Sequence, residues 1–276
     1  MRDNGRSPTD RIDAFCDAVP RDQARAERHG PLTLFVRAGP GWPYYARPTR
    51  GSGAVSADIS ADDIGAVRDR QRALGAPESF EWIDEVTPTM RAACEKAGLR
   101  VTAHPLMVLV PGERPPRDPA VDVRLIAADA PDLARMQAVQ MIAFGTPTMA
   151  PGAGDAADRD AMVPAVEAAA LNLVRDRMRS GRMVLAAAFD TGFEGPVAAG
   201  GCQILLPVAE IVGLGTLPAV RRRGLGTAVT AILAEAALAR RAETVFLSAA
   251  DDDVARMYGR LGFVRVGTSA VASPAS

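Results

Sequence analysis

The sequence predicts a mixed α/β protein, of the α+β type, built from two α/β parts. Apolar runs typical of strands alternate with amphipathic helical patterns along most of the 276 residues. A proline-rich, charged segment at 111–119 (PGERPPRDP) divides the chain, because such a composition favours a stiff, extended connector. The hydrophobic fraction of 48% and the charged fraction of 24% are typical of a globular protein with a buried core.

Residues 1–115 are predicted to form an N-terminal α/β domain, and the boundary is placed near residue 116. Periodicity and capping residues indicate its elements. In order, these are a helix at 9–19 that ends at Pro20, with Ile12, Phe15, Cys16 and Val19 on one side; a strand at 32–38; a helix from Ser60 to Leu74; a strand at 80–86; a helix capped by Thr87-Pro88 and ended by Gly98; and one or two strands at 99–110.

Three aromatic side chains follow a glycine-proline turn near residue 40. They belong to Trp42, Tyr44 and Tyr45. Two interpretations remain open: anchors in a core or an interface, or the lining of a substrate pocket. Aromatic residues more often pack than bind, which favours the first interpretation.

Residues 116–276 are predicted to form the second domain. Its expected elements are a strand at 121–126, a helix at 130–145, a loop at 145–158, a helix continuing through 166–181, strands at 183–189 and 197–207, a strand at 209–218, a helix at 227–241, a strand at 244–249 and a final helix that closes on Leu261-Gly262-Phe263. Few residues follow 263–272, so a further strand at the end of the chain is not expected. We hypothesise that Leu106 to Val110 completes the sheet instead, because sheets tolerate a bare apolar edge poorly.

The most informative stretch is the turn RRRGLG at 221–226. It follows the strand-like EIVGLGTLP and precedes a helix with Val229, Ile232, Leu233 and Ala236 on one face. The N-terminus of a helix presents unpaired N–H groups and a partial positive charge, and glycines let a phosphate approach the backbone closely. The turn is therefore predicted to bind a pyrophosphate.

Two common phosphate-binding motifs do not match this turn. A Walker loop requires GxxxxGK followed by Ser or Thr, and Lys96 is the only lysine of the chain. A dinucleotide fingerprint requires GxGxxG and an acidic residue at the end of the next strand. The glycines here are spaced GxG, and the next strand, at 244–249, ends without an acidic residue.

The arrangement Arg-x-x-Gly-x-Gly after a strand that ends in Leu-Pro resembles the GNAT superfamily of N-acetyltransferases. The matching segments are AEIVGLGTLP, RRRGLG, VFLSA and DDDVARMYGRLGF, and the resemblance covers residues from about 121 to 270. It implies a GNAT-like acyl-CoA N-acyltransferase fold, here with an additional N-terminal α/β domain. ACEKAGLRV in that domain parallels MYGRLGFVRV, so the domain is either a degenerate copy of half of the same fold or an unrelated α/β domain.

The resemblance also implies the residues that bind acetyl-CoA, which would serve as a cosubstrate. Backbone groups of Gly215, Thr216 and Leu217 would hold pantetheine and the thioester oxygen, and Gly213 with Gly215 indicates a bulge or a close backbone approach rather than loosened packing. Arg221 would hold the loop or add charge. The amides that would bind the pyrophosphate belong to Arg222, Arg223, Gly224, Leu225, Gly226 and Thr227. The loop at 145–158 would border the acceptor, or be an ordinary connector.

Direct transfer of an acetyl group to an amine requires a base and an acid rather than a nucleophile. By resemblance, Glu210 is either the general base or a residue that binds the substrate cation or acts through water. Tyr258 would protonate the leaving thiolate; the alternative is packing under the sheet. Asp251 stands where the family has a coenzyme-binding asparagine, although an ionised aspartate cannot donate, and capping of the last helix is its alternative role. Cys202 is interpreted as core.

Composition limits the partners. The net charge of −1 argues against nucleic acid and anionic membranes, and three cysteines with two histidines in sparse positions predict no metal site. The leading function is an N-acetyltransferase that acts on a small-molecule amine or, second, a protein amine; the alternative is a pseudoenzyme that binds coenzyme A. A homodimer is left open. The polar N-terminal residues, together with Gln203, Pro207 and Glu210 within the apolar run 197–217, predict a cytoplasmic protein.

Overall fold

The computed structural model describes residues 7–37, 39, 44–50, 59–145 and 151–275. The helices are α1 (Pro8–Ala18), α2 (Ala61–Ala73), α3 (Thr89–Lys96), α4 (Leu133–Gly145), α5 (Ala156–Met162), α6 (Ala168–Arg179), α7 (Leu225–Ala239) and α8 (Asp252–Gly259). The strands are β1 (Ala24–His29), β2 (Leu32–Arg37), β3 (Ala46–Pro48), β4 (Phe80–Ile83), β5 (Leu99–Leu109), β6 (Asp122–Ile126), β7 (Met183–Phe189), β8 (Pro196–Leu205), β9 (Val208–Thr216), β10 (Thr244–Ser248) and β11 (Phe263–Pro274). Single 3₁₀ turns lie at Val19–Asp22, Val163–Ala165 and Pro218–Val220.

These residues group into two compact units. The first contains the described residues up to Met107, with 248–252 and 265–275, and the second contains 108–247 and 253–264. The strand order is β1-β2-β3-β4-β11-β5 in the first unit and β10-β9-β8-β7-β6 in the second. The units differ from the predicted ranges 1–115 and 116–276 because the end of the chain packs with the first unit. A functional boundary near residue 116 stays a prediction.

The first unit packs α2 and α3 on one face of its strands. Its apolar core includes Leu34, Ile64, Phe80, Trp82 and Met90. Helix α2 begins where the sequence predicts, since Ser60 and Asp63 form a reciprocal capping box. Helix α3 begins directly after Thr87-Pro88, as predicted, with Pro88 as the cap residue, but no side chain bonds its first turn. Strand β1, which pairs with β2, has no counterpart in the sequence analysis.

Helix α1 carries buried charged side chains on its inner face. Ile12 and Phe15 are buried as predicted, but Asp13 and Asp17 share the buried face. Asp13 pairs with Arg47, which is 1% exposed, and with Arg50. Burial of these charges is tolerated because each is paired. Cys16, predicted on the apolar side, is half-buried.

Tyr44 and Tyr45 are half-buried, and both make contacts within the first unit. The Tyr44 hydroxyl donates to Gln23 Oε1 at 3.3 Å, and the Arg37 guanidinium lies 4.4 Å from the centroid of the Tyr44 ring. The Tyr45 hydroxyl donates to the Cys16 carbonyl at 3.5 Å. Trp42 lies outside the described residues.

Glu81 links the stability of the first unit to pH. Burial raises the pKa of its carboxyl to about 7, although Arg47 acts in the opposite direction. As the pH rises, the unfolded chain loses this proton near pH 4.5, whereas the folded protein keeps it until about pH 7. The free energy of unfolding therefore falls between these two pH values and stays lower above them. Glu81→Gln changes the free energy of unfolding at each pH, and we expect this change to be about 1–3 kcal/mol more stabilising at pH 8 than at pH 4. Urea unfolding of both proteins at the two pH values measures this difference. An effect of Glu81→Gln that is the same at both values would contradict the assignment.

The second unit carries helices on both faces of its strands. Helix α7 packs on one face, where the side chains of Val229 and Leu233 lie close to Gly200 of β8. All four predicted core positions of α7 are buried. Helix α4 packs on the other face of the sheet, as its contacts with Gly213 and Gly215 show.

Two expectations for the second unit are corrected. The predicted loop at 145–158 is too long, because Asp155 caps α5, which begins at Ala156; residues 146–150 lie outside the described residues. The expectation that no strand ends the chain is wrong, since β11 continues to Pro274 and its Ser269–Ala272 segment pairs with β4. Of the segment hypothesised to complete the sheet, 108–110 belongs to the second unit, and the Val110 N–H donates to the Gly262 carbonyl at 3.0 Å.

Two features are absent from the described ranges. No helix there combines the length and the apolar character that crossing a bilayer requires. No group of three His, Cys, Asp or Glu side chains there is arranged to hold a metal ion.

Candidate functional site

The site begins where β9 and β10 stop pairing. The two parallel strands pair from Val208 and Thr244 to Glu210 and Phe246. Strand β9 then continues to Thr216, hydrogen-bonded along β8. Among the described residues, no residue of β10 pairs with β9 beyond Glu210. Backbone amides on that side of β9 are therefore available to a ligand, because a strand presents its N–H groups on both edges.

Both strand glycines have the geometric role predicted for them. The register between β8 and β9 shifts opposite Gly213, whose φ of +64° is left-handed, and this forms a bulge. Gln140 Nε2 donates to the Gly213 carbonyl at 2.7 Å. At Gly215 a Cβ atom would lie 2.9 Å from the Cβ of Ala143, so α4 approaches the strand as closely as glycine allows. The bulge and the close approach are both confirmed.

The strand leads through a 3₁₀ turn into the N-terminus of α7. Arg222 and Gly224 have φ values of +66° and +75°, and Gly224 is the N-cap of the helix, with no side chain bonded to the first turn. The first amides of a helix have no partner within the helix, and together they carry a partial positive charge. A Cβ on Gly226 would lie 3.3 Å from Thr216 Oγ1 and near no other described atom outside its own helix. This uncapped turn fits a phosphate group.

The three consecutive arginines differ in environment. The Arg221 Nε donates to the Thr216 carbonyl and its Nη2 to the Ala143 carbonyl, each at 3.3 Å. Desolvation lowers the pKa of this half-buried guanidinium. The Arg223 Nη1 donates to Asp190 Oδ2 at 3.0 Å, whereas Arg222 is exposed. Of the two roles proposed for Arg221, these contacts fit holding the loop.

Glu210 lies at the last position of β9 that pairs with β10. Its carboxylate accepts a hydrogen bond from Gln203 Nε2 at 3.3 Å, and Gln203 Oε1 in turn accepts from Arg177 Nη2 of α6 at 2.6 Å. Neither Gln203 nor Arg177 is among the site residues predicted from the sequence. The alternation of β8 marks Gln203 as facing one side of the sheet, but only the register between β8 and β9 places it opposite Glu210.

Tyr258 lies in α8 and is 6% exposed. Its ring centroid is 6.1 Å from that of Phe263, and burial raises the pKa of its hydroxyl. No hydrogen bond joins this hydroxyl to another described residue. The packing interpretation is therefore correct for the ring, and the catalytic role of the hydroxyl stays a prediction.

The remaining candidates are Asp251 and Cys202. Asp251 is exposed and groups with the first unit, so its contact with coenzyme stays a prediction. Cys202 is fully buried, and burial raises the pKa of its thiol to about 12. A thiol in that state is a poor nucleophile, which agrees with its interpretation as core.

The chain is similar to one family model and, in fold, to several solved structures. Residues 157–263 match the model of the Acetyltransferase (GNAT) family. No relative among curated proteins matches this sequence.

Among solved structures, a GCN5-related N-acetyltransferase from Kribbella flavida is 22% identical, with a TM-score of 0.69 over 97% of this chain and 96% of that one. A tandem GNAT protein from the clavulanic acid biosynthesis pathway is 14% identical, with a TM-score of 0.53 over 98% of both chains. A GCN5-related N-acetyltransferase-like protein from Streptococcus suis is 10% identical, with a TM-score of 0.53 over 96% and 98%. At these identities the structural similarity establishes the fold, which extends over nearly the whole chain.

Proposed function

We propose that this protein is an acetyl-CoA-dependent N-acetyltransferase that transfers the acetyl group directly to an amine, since residues 157–263 match the model of the GNAT family. One observation supports this proposal above the others. Strand β9 loses its β10 partner after Glu210, bulges at Gly213, and leads into a helix N-terminus that no side chain caps. An unpaired strand edge followed by an open helix N-terminus suits a thioester joined to a pyrophosphate.

The residues of this site divide the binding between them. The main chain of Gly215, Thr216 and Leu217 holds the pantetheine arm and directs an N–H toward the thioester oxygen. The amides of 222–227 bind the two phosphates. Arg221 keeps the turn in place by joining the ends of β9 and α4. Asp251 remains a candidate contact for the coenzyme arm.

Two side chains move protons in the proposed reaction. Glu210 accepts the proton that the amine loses as its nitrogen bonds to the acyl carbon. Tyr258 donates its proton to the sulfur as the carbon–sulfur bond breaks. Each turnover leaves Glu210 protonated and Tyr258 ionised, and water returns the proton from one to the other. A tyrosine hydroxyl is protonated at neutral pH, and burial raises the pKa of Tyr258 further, so the proposed donor carries its proton throughout the neutral range.

A small-molecule amine is the preferred acceptor, and a protein amine is the alternative. The experiment that tests the function measures thiol release from acetyl-CoA with a panel of small amines and peptides, together with calorimetry of coenzyme binding. Amine-dependent release supports the proposal. Binding without release under any acceptor would instead support a coenzyme-A-binding pseudoenzyme. Absence of coenzyme binding would reject both.

Glu210→Gln tests the base. We expect kcat/KM for the amine to fall about 100-fold near pH 7, because a positioned base contributes a factor of this order. The KM for acetyl-CoA should stay the same. A rise of the amine KM at constant kcat would favour the alternative in which Glu210 binds the substrate cation. Glu243→Gln, at an exposed carboxylate, is the matched control.

A further inference from the structure

Arg223 of the phosphate-binding turn already has an anionic partner within the protein. Its Nη1 lies 3.0 Å from Asp190 Oδ2. The Asp190 side chain is 21% exposed and that of Arg223 is 56% exposed, so the pair lies at the surface with the carboxylate on its inner side. An incoming phosphate therefore meets a guanidinium whose charge is partly neutralised.

The carboxylate of Asp190 is fixed independently of Arg223. Its Oδ1 accepts a hydrogen bond from the Gly192 N–H at 3.0 Å, and the Phe193 N–H donates to the Asp190 carbonyl at 2.9 Å. These bonds form the turn between β7 and β8. The negative charge thus stays beside the phosphate-binding turn whether or not Arg223 is bound to it.

Arg222 contrasts with both of its neighbours. Arg221 is directed inward onto the Thr216 and Ala143 carbonyls. Arg222 is exposed, and no ion pair joins its guanidinium to another residue in the described part of the chain. Its two neighbours both use donors within the protein, Arg221 toward main-chain carbonyls and Arg223 toward Asp190. It is therefore the arginine of the turn with its full charge available.

We propose that Asp190 withholds Arg223 from the phosphates of the coenzyme, so that Arg222 supplies the side-chain charge of the turn. This inference rests on the proposed function, since it assumes that the turn binds coenzyme A. Asp190 then acts as an internal competitor that limits coenzyme affinity. Removing its charge ends the competition for Arg223 and also removes the repulsion between a carboxylate and the phosphates.

Asp190→Asn is the sharpest test, because asparagine can still accept the bond from Gly192. We expect calorimetry to show coenzyme A binding three- to tenfold more tightly at about 50 mM salt. The gain should shrink at about 500 mM salt, since exposed charges are screened. The gain should also depend on Arg223. In a protein that already carries Arg223→Gln, Asp190→Asn should change log Kd for coenzyme A by less than half as much as it does in the wild type. Arg222→Gln should weaken binding at least fivefold.

Asp176→Asn is the control, because it removes one exposed carboxylate of α6 that pairs with Arg179. It should leave affinity unchanged. Asp190→Ser repeats the test if the asparagine variant does not fold, because serine can also accept from Gly192. Binding by the wild type with unchanged or weaker binding by both Asp190 variants would overturn this inference alone. A wild type that does not bind coenzyme A would overturn the proposed function and the inference together.

Discussion

Tyr258→Phe is expected to lower kcat about 100- to 1,000-fold while the affinity for acetyl-CoA changes less than threefold, since general acid catalysis contributes on this scale. The variant removes one oxygen from a ring that is buried against Phe263, so the packing of α8 is preserved. Its hydroxyl has no hydrogen-bond partner among the described residues, so no internal bond is broken. Steady-state kinetics with the best amine of the panel, together with calorimetry, measure the two quantities.

Tyr45→Phe is the matched control, because it removes the same atom from a tyrosine of the first unit. It should leave kcat within twofold of the wild type. The pH profile adds a second readout. The raised pKa of Tyr258 places the loss of its proton above the ordinary tyrosine value of about 10. Full activity of Tyr258→Phe, or an alkaline limb near pH 8 that this variant abolishes, would rule out the proposed proton donor.

Gly226→Val is expected to weaken coenzyme A binding at least 100-fold without loss of stability. Gly226 lies in the first turn of α7, where valine is acceptable to the helix and favoured over glycine by about 0.5 kcal/mol. Its Cβ would require Thr216 Oγ1 to move by only a few tenths of an ångström. The branched side chain would nevertheless cover the amides that the phosphates require. Calorimetry and thermal unfolding measure the two effects separately.

Gly65→Val is the matched control for this variant. Gly65 lies in α2, and a Cβ there meets no atom within 4 Å. The thermal stability of Gly65→Val should change by about as much as that of Gly226→Val, while its affinity for coenzyme A should remain that of the wild type. If Gly226→Val binds coenzyme A normally, the phosphates do not approach this turn.

The candidate site could be predicted because most of it is contiguous in the sequence. Strand β9, the arginine–glycine turn and α7 follow one another, and helix and bulge signals such as Gly213 act over short distances. The capping box of Ser60 and Asp63 was predictable for the same reason. The partners from other elements were not. Gln203, Arg177 and Asp190 reach the site only through strand pairing and turns that no local pattern specifies.

The errors in the fold have a related cause. Asp13 and Asp17 on the buried face of α1 break the apolar pattern. The arginine partners of Asp13, Arg47 and Arg50, lie more than thirty residues away in the sequence, whereas Arg21, the partner of Asp17, follows it by four residues. Strand β11 was missed because alternation in GTSAVASP is weak, and its pairing with β4 determines its length. Helix α5 was missed because glycine, proline and alanine before Asp155 suggest a loop, whereas its capping box begins a helix.

The most direct test of the central claim is an amide NMR titration of the whole chain with coenzyme A and, separately, with S-acetylpantetheine, which lacks the phosphates. We expect coenzyme A to shift the amide signals of 222–227 more than any others in the chain, Gly224 and Gly226 among them. S-acetylpantetheine should leave those signals in place. Unchanged signals from this turn at saturating coenzyme A would contradict the claim that its main chain binds the pyrophosphate.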